Sequence, residues 1–152
     1  PLSHTMNQGI LAIRINGELA SELMINCLTA AWENVPIRFV SGDKGLCDWI
    51  KGVIPDVRTL AVSEGVGNGS ISIQPTLAVR RIRELVEESF KIDREKIMYP
   101  LPSSFEVEGD FRPHYTAKRA GFYPGAEQTG PRSVRYRADK YTDVLTFFSF
   151  TL

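Results

Sequence analysis

Apolar and polar positions change period several times along the chain, and each change predicts an element. Residues 10–15, Ile-Leu-Ala-Ile-Arg-Ile, alternate as a strand does, and Asn16-Gly17 supplies a reversal after them. Leu23, Met24, Cys27, Leu28 and Ala31 then recur at helical spacing, which predicts a helix over 21–32 with Ser21 as its cap. Val35-Pro36 ends that helix, 37–40 reads as a short buried strand, and Gly42-Asp43 opens a second helix carrying Leu46, Trp49 and Ile50. A strand over 57–62 leads into Gly65-Val66-Gly67-Asn68-Gly69-Ser70, expected to be a flexible loop. A helix over 75–90 follows, with proline in its first turn. Beyond Pro100 and Pro102, strict alternation at 104–108 and 133–137 predicts half-exposed strands. The last helix, over 140–152, carries Phe147, Phe148 and Phe150 and is apolar on too many sides for one exposed face.

This order predicts an α/β fold within a single chain, 1–152. Residues from about 1 to 100 read as a βαβα half of three-layer α/β/α type, and those from about 101 to 152 as a strand-rich α+β closing segment. At 152 residues and 43% hydrophobic content there is enough chain for a sizeable core. Lys plus Arg and Asp plus Glu number 18 each, so no bulk field draws in nucleic acid or an anionic membrane. No stretch approaches the roughly twenty apolar residues of a membrane span. Cys27 and Cys47 read as buried thiols of a reducing compartment, which makes the cytoplasm the expected location.

Candidate chemistry sits near the amino terminus. His4 lies in Ser3-His4-Thr5, and Glu22 opens the first helix. If that helix folds back beside the strand before it, an imidazole and a carboxylate converge. A carboxylate suits a metal ion, and an imidazole moves a proton at a scissile group. Each has a plainer role: Glu22 can compensate the helix dipole and His4 can be a hydrogen-bonded structural histidine, while Glu18 competes for the ligand position. Asp43 reads as a helix cap before it reads as a strand-end site residue. Arg80, Arg81 and Arg83, among Glu84, Glu87 and Glu88, form a solvated helix face. Gly65-x-Gly67-x-Gly69 lacks the Lys-Ser/Thr of a phosphate loop, and His114 has no second ligand in its sequence neighbourhood.

The strings Pro1-Leu2-Ser3-His4-Thr5-Met6, Ile15-Asn16-Gly17, Glu22-Leu23 with Asn26, and Val35-Pro36-Ile37-Arg38-Phe39-Val40-Ser41-Gly42-Asp43 resemble the zinc-dependent D-aminopeptidases. So do Ile54-Pro55-Asp56-Val57, Glu127-Gln128-Thr129-Gly130 and Ser133-Val134-Arg135-Tyr136. The resemblance covers the carboxy-terminal part of the family's length. It implies that His4 is the catalytic histidine, that Glu22 is a zinc ligand, and that the reaction hydrolyses the amide next to a free amino terminus, of a D-residue or another unusual peptide. It also implies an Asp-x-Glu pair and two further histidines as the other ligands of one or two zinc ions, all preceding the Ser-His motif. Those ligands are therefore expected on a companion chain cut from the same precursor before Pro1, which would complete the fold. Family members resemble closed rings, so an oligomer of chain pairs acting on a small peptide or amide is the corresponding expectation. Two rivals stand beside this reading: a non-catalytic binding or assembly subunit, and a tautomerase-like enzyme using the secondary amine of a free Pro1.

Overall fold

The computed structural model of the chain describes residues 5–152. The chain is α/β, and its elements are distributed over two compact units, one interrupted by the other in sequence: residues 30–100 form the inner unit, and residues 5–29 with 101–152 the outer one.

In the outer unit, β1 (Ile10–Ile15) turns through Asn16 and Gly17, both at positive φ (52° and 82°), into the two-residue β2 (Glu18–Leu19). The turn is held from outside. The Asn16 carboxamide accepts from the Glu106 N–H (2.7 Å) and donates to the Ser104 carbonyl (3.1 Å). The other strands are β6 (Phe105–Phe111), β7 (Ala126–Gln128) and β8 (Ser133–Ala138), giving an antiparallel sheet of order β2-β1-β6-β8-β7. Alternation in β6 sends Phe105, Val107 and Phe111 inward, and Glu106, Glu108 and Asp110 to the half-exposed face. There they meet Arg137 (2.6 Å from Glu106), Arg135 (3.0 Å from Glu108) and Arg14 (3.1 Å from Asp110) on the flanking strands. The inner face is covered by α4 (His114–Ala120) and α5 (Tyr141–Thr151), which pack on β6 and β8. The helix α1 (Glu22–Trp32) is tied to α5 where the Tyr141 hydroxyl donates to the Ile25 carbonyl at 2.7 Å.

The sequence pattern places 10–15 at the head of a βαβα run. In the structure β1 joins β6 instead, across an intervening segment that builds a sheet of its own. That inner sheet has the order β3-β4-β5, from β3 (Phe39–Asp43), β4 (Arg58–Val66) and β5 (Gly69–Ser72). β3 and β4 are parallel and joined by α2 (Lys44–Val53), a βαβ crossover, and both α2 and α3 (Pro75–Ser89) pack on β3 and β4. The expected loop at 65–70 is a hairpin: β4 runs to Val66 and pairs with β5 through the turn Gly67-Asn68, with Gly67 at φ 58°. A glycine in the first central position is what a II′ hairpin turn requires, so glycine richness here marks a tight reversal and not slack.

Candidate functional site

Glu22 is the first residue of α1, and its position follows from local rules. Ser21 caps the helix, its hydroxyl accepting from the Met24 N–H at 3.2 Å, which leaves Glu22 exposed in the first turn where the field of the helix favours a negative charge. The segment after the Ser-His motif is fastened to this end. The Thr5 hydroxyl donates to the Ala20 carbonyl at 2.9 Å, and the Met6 N–H donates to Glu22 Oε1 at 3.2 Å. Met6 takes positive φ (67°), an uncommon conformation for a residue with a side chain, to make that approach. His4 lies outside the described residues, as does Pro1. The structure thus brings Met6, two residues beyond His4 in sequence, onto the carboxylate of Glu22.

An apolar groove of about 490 Å³ adjoins this contact in the outer unit. Ile25, one turn along α1 from Glu22, and Phe148 of α5 are its buried members. Leu145, Leu152 and Met6 form the sides. Asn7 fixes the rim: its Nδ2 donates to the Leu152 carbonyl at 3.1 Å and its Oδ1 accepts from the Gly9 N–H at 2.8 Å. None of these groove residues stands out in the sequence, because they meet only when the ends of a long chain segment come together.

The other candidates fall elsewhere. Glu18 lies on the edge strand β2 opposite Ile15, exposed. Asp43 caps α2, its Oδ1 accepting from the Leu46 N–H at 3.1 Å. His114 begins α4 on the surface with its ring edge toward Tyr115. Arg80 and Arg81 pair with Glu84 along an exposed face of α3. Cys27 and Cys47 are buried free thiols, and burial pushes the Cys27 thiol up to about 11. Among the described residues no helix is long and apolar enough to cross a membrane.

Among the described residues no group of three or more His, Cys, Asp and Glu side chains comes together to hold a metal ion. Glu22 offers a carboxylate near the amino-terminal segment. It is exposed, it offers oxygen, and its Oε2 has no hydrogen-bond partner among the described residues while Oε1 is oriented by Met6. A catalytic zinc takes three protein ligands as a rule, so the ion needs groups beyond these.

Residues 1–150 match the family described as D-aminopeptidase. The chain is 28% identical over 141 residues to a D-aminopeptidase of Bacillus subtilis (strain 168), an overlap of 90% of this chain and 51% of that protein. In three dimensions it is similar, with a TM-score of 0.82 and 25% identity, to a structure described as the Zn-dependent D-aminopeptidase DppA from Bacillus subtilis, a self-compartmentalizing protease. That match covers 98% of this chain and 57% of the other. The chain therefore spans about half the length of the curated relative it matches.

Proposed function

The chain belongs to the D-aminopeptidase family, and from that membership we propose that it forms one part of a zinc-dependent aminopeptidase that cleaves the amide bond next to a free amino terminus. The observation that carries the reading is the tie between Glu22 and Met6. It holds one carboxylate oxygen, leaves the other without a partner among the described residues, and anchors the chain two residues after the Ser-His motif to the proposed ligand. In this reading Glu22 would be one of the residues that hold zinc. Bound zinc would supply a Lewis acid that lowers the pKa of water and polarises the scissile carbonyl. His4 moves the proton to the departing amine and steadies the negative charge on the carbonyl oxygen. The helix end at Glu22 adds a positive field that favours a negative group at that position.

The remaining ligands come from the complementary length of the family, whether on the same polypeptide or on a companion chain. Copies of the complete unit assemble, as the description of the structural relative suggests, and the charge balance and buried free thiols suit a cytoplasmic enzyme.

The test is made on the full-length protein. Glu22→Gln keeps the size and the helix start but removes the charge, so zinc content and hydrolysis of amino-acid amides should fall together. His4→Ala should lower kcat by at least about a hundredfold with zinc content kept. A Glu22→Gln protein with full zinc and full turnover would leave only the helix-dipole role for that residue and refute the reading. Light scattering checks the assembly: a mass equal to a single complete unit at micromolar concentration would rule it out.

A further inference from the structure

The groove between α1 and α5 begins where the proposed zinc ligand ends. Met6 belongs to both: its backbone N–H holds Glu22 and the residue itself lines the groove. Ile25, in the floor, stands three residues after Glu22 on the same helix, a spacing that puts side chains about 5–6 Å apart. We propose that this groove is the subsite that receives the side chain of the amino-terminal residue whose amide bond is cut, and that it selects apolar side chains larger than a methyl group. The inference rests on the aminopeptidase reading and deepens it.

Three properties argue for this occupant. No ionisable side chain lines the groove, and its two polar side chains are already engaged: Asn7 uses Nδ2 on the Leu152 carbonyl and Oδ1 on the Gly9 N–H, and the Ser149 hydroxyl donates to the Leu145 carbonyl at 2.9 Å. A charged substrate side chain entering it would lose water without gaining an ionic partner, which selects against such residues. The lining by Met6, Ile25, Leu145, Phe148 and Leu152 instead offers aliphatic and aromatic surface to a hydrocarbon. The volume, about 490 Å³, falls in the range of small-ligand pockets and far exceeds what an alanine methyl fills. Position supplies the last argument: Met6 both donates to Glu22 and lines the groove, and Ile25 follows Glu22 by three residues on α1, so a residue whose carbonyl sits near that carboxylate would have its side chain beside the groove.

The experiment uses the zinc-loaded full-length protein with glycinamide, alaninamide, leucinamide and phenylalaninamide in both chiralities. The parent should show kcat/KM for the better leucinamide enantiomer at least about tenfold above alaninamide, since each methylene accommodated in an apolar pocket is worth roughly tenfold or more. Leu145→Trp, which fills the groove from its side, should lower the leucinamide-to-alaninamide ratio by about tenfold or more. Met6→Ala, at an exposed position that tolerates truncation, should raise the phenylalaninamide-to-leucinamide ratio and decides the matter if the tryptophan variant does not fold. Methyl NMR of the parent gives a readout apart from turnover, because leucinamide should shift the Ile25 and Leu145 resonances while glycinamide leaves them in place. Ratios unmoved in the folded variants, or leucinamide binding that never touches those methyls, would overturn the subsite with the enzyme reading intact, as when another copy or segment covers the groove. A parent that hydrolyses none of the amides would instead bring down the aminopeptidase reading and this inference with it.

Discussion

Cys27 and Tyr141 show what burial does to single groups in the outer unit. Cys27 is 1% exposed and its thiol is pushed up to about 11; Tyr141 is fully buried, its phenol pushed up to about 12, and its hydroxyl donates to the Ile25 carbonyl. In both cases desolvation penalises the charged form, so the folded protein holds a proton that the unfolded chain gives up. Folded values above unfolded ones mean that the stabilising contribution is complete below about pH 9 and is lost as pH rises through 9 to 12. Melting temperature should therefore fall steeply above pH 9. Cys27→Ala should flatten the first part of that fall, removing about 2 kcal/mol of pH dependence. Parallel melting curves of parent and variant from pH 8 to 11 would show that the thiol does not titrate with unfolding. Glu22 was legible in the sequence because a helix start follows from local pattern and the family strings mark the position. The hold of Met6 on it was not, since positive φ at a non-glycine residue has no local signature.

At the scale of elements, caps and periodicity were readable and pairing was not. α1, α3, β8 and α5 fall within a residue or so of where their patterns put them. By contrast α4 is seven residues long, and β2 and β7 have two and three residues, too short for any period to register. The hairpin at Gly67-Asn68 was hidden because glycine signals both slack and tight turns, and pairing with β4 decides between them. Asp43 resolves in the same way. A carboxylate at a strand end in an α/β pattern suggests a site, yet its oxygen is committed to the Leu46 N–H. Replacing it with Ala should cost about 1 kcal/mol of stability, and Asn should restore most of that, as measured by urea unfolding. An Asn variant as unstable as the Ala variant would show that charge, and not capping, is what matters there.

For the whole molecule, the decisive fact is that the outer unit is assembled from both ends of the described chain while the inner unit is contiguous. The inner segment, residues 30–100, has its own βαβ crossover, hairpin and helices, so expressed alone it should give dispersed amide NMR signals. The segment 101–152 expressed alone should not, because its central strand β6 would lack β1 along its length. Dispersed spectra from 101–152 would contradict the role given to β1. The order of strands and helices was readable while this pairing was not, because alternation along a strand says which face is buried but not which strand lies beside it.

The pairing of β1 with β6 also fixes a timetable. Ile15 pairs with Val107, so once β1 has left the ribosome it waits for about ninety further residues, on the order of 5 to 20 s of synthesis, before its partner exists. In that interval Ile10, Ile13 and Ile15 lie on an apolar strand paired only with the two-residue β2, next to a contiguous segment already able to fold. The nascent chain therefore exposes the long edge of β1 until β6 is made, and the time it needs protection during translation is set by the length of the segment between them and not by that segment's stability.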